Sequence, residues 1–156
     1  MPKKSIDATD LKILGELQTN GRLSNVDLAL RVNLSPSPCL ARVRALERAT
    51  VIDRYVAIIN PASVGLTLSV FIQVTLERQI ESALKRFEAK MNGYPEVMEC
   101  YLMTGDSDYL IRAVVRDVEA LQHFIVHELS KIPGVANIKS SFSLKQVKYK
   151  TALPIG

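Results

Sequence analysis

The sequence predicts an α+β chain in two parts: an N-terminal winged helix-turn-helix over residues 1–60 and a C-terminal ferredoxin-like βαββαβ domain over residues 67–156, with a linker at 61–66. Three observations predict it. One helix-start signal recurs three times in the first part. A short turn, Val32-Asn33-Leu34, separates the second and third of these helices. After Thr67 a strand-helix-strand plan runs twice, and both helices leave through a matching step, Tyr94-Pro-Glu-Val97 and Ile132-Pro-Gly-Val135.

Each helix start sets a capping residue between two apolar residues: Ile6-Asp7 with Leu11, Leu23-Ser24 with Leu28, and Leu34-Ser35 with Cys39. The cap side chain accepts a hydrogen bond from an orphan N–H of the first turn, and the apolar pair staples the entering chain. Asp10 and Asp27 follow at the third helical position, where negative charge suits the helix dipole. The first helix is predicted from Ala8 to Thr19, with Leu11, Leu14 and Leu17 on one face and Asn20-Gly21 ending it. The second runs from Asn25 to Arg31. Asn33 tolerates the left-handed backbone that so tight a turn needs. The third runs from Pro36 to about Ala49, and Pro36 and Pro38 both sit in its first turn, where a missing N–H does little harm. Two such helices and their turn make a helix-turn-helix. The plain alternative is a three-helix bundle that binds nothing.

The third helix bears on that choice. Leu40, Val43 and Leu46 are predicted to face inward. Ser35, Ser37, Ala41, Arg42 and Ala45 fall on the outer side, with Pro38 at its start, and this small, basic face suits a nucleic-acid groove. Ser37 and Arg42 are the candidates for base edges, and Arg44 and Arg48 for phosphates, with Ser24 and Asn25 at the start of the second helix as further contacts. The ordinary reading of the three arginines is a solvated face partly paired with Glu47. Beyond it, Tyr55 to Ile59 is β-prone and closed by Asn60-Pro61, so a wing strand is predicted, turning at Asp53-Arg54. Arg54 either touches a phosphate or is simply exposed.

In the second part, Ser69 to Leu76 alternates, with Val70, Ile72, Val74 and Leu76 on one face. A helix with Ile80, Leu84, Phe87 and Met91 at helical spacing follows, then a strand from Met98 to Thr104. The plan repeats as a strand from Tyr109 to Val115, a helix capped by Asp117 with Leu121, Phe124, Ile125, Leu129 and Ile132, and a last strand from Ala136 to Leu144. Two helices cover only one face of such a sheet. The other carries Phe71, Gln73, Thr75, Glu99, Tyr101 and Met103, a mixture that a symmetric partner would bury.

Composition sets the outer bounds. At 47% hydrophobic residues the chain can build real cores, and no apolar run approaches the length of a membrane span. The basic start Met1-Pro-Lys-Lys has no apolar stretch behind it and does not read as a signal peptide, so the cytoplasm is the expected compartment. Cys39 and Cys100 have no zinc-like spacing and read as free thiols. The net charge is +4, and residues 1–60 hold nine Lys/Arg against six Asp/Glu, which places most of the excess where an anionic partner is expected.

No dinucleotide, P-loop or nucleophile-elbow motif is present, so an enzyme on the ferredoxin-like part is not indicated. His123 and His127 lie four apart on a helix but lack an evident third ligand, so neither a metal site nor a cofactor is assigned. The loop Thr104-Gly-Asp-Ser-Asp-Tyr109 has the chemistry of a hairpin turn. It also holds two carboxylates that could grip an ammonium group, so turn and ligand site both stay open. A ligand-binding regulator that never touches DNA is a further alternative.

Several long segments resemble the Lrp/AsnC family, the leucine-responsive regulatory protein and its relatives. Leu17-Gln-Thr-Asn-Gly-Arg-Leu-Ser-Asn-Val26 is similar to the family's passage from first to second helix, and Ser35-Pro-Ser-Pro-Cys-Leu-Ala-Arg-Val-Arg-Ala-Leu-Glu47 to its recognition helix. Glu99 to Leu110, Leu129-Ser-Lys-Ile-Pro-Gly-Val135 and Lys145 to Pro154 resemble its effector domain and tail. Within the family the chain looks most like local regulators of amino-acid catabolism, including those of branched-chain keto-acid dehydrogenase. The resemblance implies a regulator of amino-acid metabolism genes that binds double-stranded DNA, forms homodimers that assemble toward octamers, and takes a free amino acid as effector. The implied effector site comprises Met103, Thr104, Gly105, Asp106, Ser107, Asp108 and Tyr109, with Ser140, Ser141 and Phe142 of a neighbour's last strand. Asp106 or Asp108 would hold the ammonium group, and an apolar effector such as leucine, isoleucine, valine or methionine is expected. Family members often carry Gly where this chain has Asn33 and Thr50. Thr50 is β-branched and poor at a left-handed cap, so a differently shaped exit from the third helix is expected.

Overall fold

Three helices begin at the three start signals, and the first two are capped by a side chain. The computed structural model describes residues 5–155, and the start at Met1–Lys4 lies outside the described residues. Helices α1 (Ala8–Thr19), α2 (Asn25–Arg31) and α3 (Pro36–Arg48) bury one another through Ile13, Leu28, Ala29, Val32, Cys39 and Leu46. Asp7 and Asp10 form a reciprocal capping box on α1, with Asp10 N donating to Asp7 Oδ1 at 2.8 Å. Ser24 Oγ accepts from Asp27 N at 3.1 Å on α2. The expected cap by Ser35 is not made. The N–H it would have taken belongs to the third helical position, and that residue is Pro38.

The inner face of α3 also differs from the expectation. Cys39, not Leu40, is fully buried beside Leu46. Asn33 takes the expected left-handed backbone at φ 56°, and Thr50 takes it as well at φ 53°. The exit from α3 is thus the one a glycine would give, despite the β-branched side chain. The predicted wing strand at 55–59 is unpaired: none of its backbone groups finds a ladder partner among the described residues, and a lone strand cannot satisfy itself. Val56, Ile58 and Ile59 remain exposed.

The chain divides into two compact units, and the boundary drawn from the sequence needs one correction. The tail from Val147 onward belongs with the helices, in the unit that runs to Ile58. Gln18 holds it with both ends of its amide: Leu153 N donates to Gln18 Oε1 at 2.6 Å, and Gln18 Nε2 donates to Leu153 O at 3.3 Å. The expected linker contains a single 3₁₀ turn, Pro61–Val64, capped by Asn60 and closed by left-handed Gly65 at φ 78°.

The second unit spans Ile59–Gln146. It contains β1 (Leu68–Leu76), α4 (Glu81–Met91), β2 (Val97–Leu102), β3 (Tyr109–Val115), α5 (Val118–His123) and β4 (Val135–Phe142). The strands form one antiparallel sheet in the order β2-β3-β1-β4, which is the ferredoxin-like arrangement. Val70, Ile72, Val74 and Leu76 of β1 pack under Phe87 and Met91 of α4, Leu121 of α5 and Phe124 just after it. The second helix is not the continuous α-helix expected. After α5 it widens into a π turn at Phe124–Glu128 and tightens to 3₁₀ at Leu129–Lys131. Phe124 and Leu129, five apart, would lie about 140° apart on a regular helix. The wider turn lets both enter the core, where both are buried.

Candidate nucleic-acid interface and effector loop

The outer face of α3 is open. Ser37, Ala41, Arg44 and Arg48 follow one another at helical spacing and all are exposed, with Ser35 and Pro38 exposed at the helix start. Arg44 and Arg48 make no ion pair among the described residues. Arg42, assigned to base edges from the sequence, is turned away from this face. Its Nη1 donates to Asp7 Oδ2 at 2.7 Å and to Asp10 Oδ1 at 2.9 Å. Asp10 is only 1% exposed, and Arg42 is a cation that helps a buried carboxylate sit at the start of α1. The Asp10 N–H and then Arg42 hold the Asp7 carboxyl below its ordinary value, while Asp7 and Asp10 raise Arg42. Sequence reasoning missed this clamp, although the capping-box spacing of the two aspartates was legible.

The remaining candidates divide. Ser24 is occupied in capping α2, and its Oγ also donates to Asp27 Oδ2 at 2.6 Å. Asn25 Nδ2 donates to Pro36 O at 2.7 Å, tying the first turn of α2 to that of α3, while its Oδ1 is buried without a partner among the described residues. Arg54 is exposed and lies 3.4 Å from Asp53 in a solvent-facing pair. Tyr55 donates to Glu47 Oε1 at 3.1 Å, and burial first, then Glu47, pushes its hydroxyl up to about 12.

In the second unit, residues 103–108 close a β2–β3 hairpin loop: Met103 N donates to Asp108 O at 2.8 Å. Gly105 sits at φ 118°, a backbone that other residues rarely adopt. Met103, Thr104, Gly105 and Asp106 are exposed and Ser107 is half-buried. Asp108, expected as a candidate for the ammonium group, is 4% exposed and its carboxylate is occupied. Oδ2 accepts from Leu76 N at 2.6 Å, and Oδ1 accepts from the Gln79 amide. It closes the end of β1. Tyr109 is likewise internal, stacked on Phe87 at 4.4 Å and donating to Glu88 Oε1 at 2.8 Å. Burial first, then Glu88, raises its hydroxyl.

Ser140, Ser141 and Phe142 pair with Ile72, Phe71 and Val70 of β1, whereas the loop meets β1 at Val74. One chain therefore does not bring these two groups of candidates together. His123 and His127 stack at 4.8 Å, and no three His, Cys, Asp or Glu side chains converge for a metal among the described residues. Cys39 and Cys100 are free thiols, and burial, with Glu88, pushes Cys100 up to about 11.

An open, basic second helix of a helix-turn-helix and a separate α/β unit with a built hairpin loop define a class: a DNA-binding transcription regulator with a ligand-binding domain. Residues 6–52 match the winged helix-turn-helix DNA-binding family, and residues 69–153 match the Lrp/AsnC ligand binding domain. The chain is 47% identical over 150 residues to the Bkd operon transcriptional regulator of Pseudomonas aeruginosa, covering 96% of this chain and 98% of that one. It is 40% identical over 154 residues to the leucine-responsive regulatory protein of Escherichia coli, covering 99% and 94%. A transcriptional regulator of Neisseria meningitidis, solved as an L-methionine complex, superposes with a TM-score of 0.92 at 45% identity, over 96% of this chain and 97% of that one. The chain belongs to the Lrp/AsnC family of transcriptional regulators, and it is not an enzyme. No helix among the described residues is long and apolar enough to cross a membrane.

Proposed function

We propose that the chain is a cytoplasmic regulator of amino-acid metabolism genes that reads double-stranded DNA with α3 and responds to a free amino acid. The observation that carries the DNA reading is the uncovered face Ser37-Ala41-Arg44-Arg48, whose two guanidiniums have no ion pair among the described residues. Ser37 is assigned to base edges and Arg44, Arg48 and Arg54 to phosphates, while Ser24 and Asn25 set the start of α2 against the backbone. Arg42 positions α3 on α1 and reads no base.

The effector is assigned to the Met103–Ser107 loop, where Asp106 is exposed and has no partner among the described residues. Asp106 would hold the ammonium group, and Ser140, Ser141 and Phe142 of a neighbouring subunit would complete the pocket. The relative solved with L-methionine supports an apolar effector such as methionine, leucine, isoleucine or valine. The assembly is a homodimer or a multiple of it, up to an octamer, and a pocket shared between subunits would couple occupancy to assembly.

A thermal-shift screen against the twenty amino acids, followed by calorimetry on the parent and Asp106→Asn, tests the effector half. An apolar amino acid at a hundred times its Kd should stabilise the fold by about 2.7 kcal/mol. No response to any amino acid would remove the effector reading, and equal affinity in Asp106→Asn would remove Asp106.

A further inference from the structure

The C-terminal tail contributes to the helical unit more than its contact with Gln18. Tyr149 and Thr151 line one wall of a groove of about 760 Å³, opposite Leu17–Arg22 and Arg54–Ile58. Lys148 and Lys150, which alternate with them in the chain, do not line the groove. Both lysines are exposed, and neither has an ion pair among the described residues. Arg22 and Arg54 line the same groove, and Arg22 lies three residues before the start of α2.

The charge balance shows what the tail brings. With it, the helical unit holds eleven Lys/Arg and six Asp/Glu, whereas the second unit holds nine and ten. The tail adds two cations and no anion, so the whole positive excess of the chain lies on the helical unit. A flexible basic tail loses conformational freedom when it meets DNA, and one already held through Gln18 and Leu153 has lost much of it beforehand.

We infer that the tail is a docked phosphate-contacting arm of the DNA-binding unit, with Lys148 and Lys150 as its contacts and Gln18 as the residue that positions it. This rests on the DNA-binding reading above and adds a second surface to α3. Such contacts neutralise phosphates without reading sequence.

The test measures fluorescence anisotropy of the full-length protein on a short random-sequence DNA duplex across a salt series. The parent and a Lys148→Ala/Lys150→Ala variant are compared, with light scattering on both. Each phosphate contact contributes about 0.9 to the salt slope, so raising salt from about 50 to 200 mM should weaken the parent about tenfold more than the variant, per protomer docked. Gln18→Ala, which keeps both lysines but frees the tail, should lose part of the same affinity on every sequence. Identical affinity and slope in the parent and the double-lysine variant would overturn the inference, as would a loss of affinity that comes only with a change in assembly. A parent that binds no duplex would instead overturn the DNA-binding reading itself.

Discussion

Arg42 shows how a residue's role turns on where one side chain ends. By helical spacing it belongs beside Ser37 and Ala41, and the sequence assigns it to base edges. The structure spends it on Asp7 and buried Asp10. Removing Arg42 takes a close cation from the Asp10 carboxylate, whose side chain is only 2% exposed, and a charge so far out of water is strongly destabilising when a partner is lost. Arg42→Ala is therefore expected to lower the urea midpoint strongly while leaving sequence preference unchanged. Arg44→Ala should do the reverse, with stability within about 0.5 kcal/mol of the parent and a flatter salt slope on DNA. Denaturation curves set beside binding titrations separate the two, and relaxed specificity in a stable Arg42→Ala would restore its base-reading role. The clamp also predicts a pH dependence. The folded Asp7 carboxyl titrates below its ordinary 3.8, so its stabilisation is present above about pH 3.8 and is lost as pH falls through the lower folded value. Arg42→Ala should show a smaller loss of stability in that acid window than the parent does.

Elements were legible wherever local chemistry decides them. Cap, staple and apolar spacing set α1, α2 and α3 to within a residue, and the alternation of Val70 to Leu76 set β1. Three features depend on tertiary partners and were not legible. The β-prone segment at Tyr55–Ile59 has no strand beside it, the tail finds Gln18 across most of the chain length, and the π turn exists because Phe124 and Leu129 share one core. The loop at 103–108 was legible as a turn, but only burial distinguishes Asp108, which closes β1, from exposed Asp106. Thr50 offers a test at this scale. It holds φ 53° at the end of α3, where a β-branched residue is strained. The left-handed penalty of about 1–2 kcal/mol exceeds the backbone entropy that glycine adds to the unfolded chain, about 0.5–1 kcal/mol. Thr50→Gly is expected to raise the melting temperature by a few degrees in calorimetry, and a lower value would mean that the Thr50 hydroxyl, which donates to Ala49 O at 2.7 Å, outweighs the strain.

The whole molecule carries one surface that a single chain leaves open. The helices cover one face of the β2-β3-β1-β4 sheet, and Phe71, Tyr101 and Met103 stay exposed away from that core. Three polar side chains on that side already satisfy one another. Arg112 donates through Nε and Nη2 to Glu99 Oε1 at 2.9 and 2.7 Å, and the Tyr101 hydroxyl donates to Glu99 Oε2 at 3.0 Å. Arg112 accordingly holds the Glu99 carboxyl below its ordinary range. A charged pair that is bonded before association costs less to bury than an isolated one, so Glu99 and Arg112 can be covered by a copy of this face without either charge being stranded. A two-fold pairing would also present two α3 helices to the two half-sites of a symmetric operator. Phe71→Glu places an unpaired carboxylate at the centre of that face. Light scattering at micromolar concentration should find the parent at a multiple of its 17.3 kDa chain mass and the variant at or near the single-chain mass. Val118→Glu, at an exposed apolar position on α5, adds the same charge off that face and should leave the assembly intact. DNA binding should fall with the first substitution and not with the second, because half-sites read one at a time lose the gain of linked binding. A parent of single-chain mass, or a Phe71→Glu protein that assembles like the parent, would show that this sheet face is not where the copies meet.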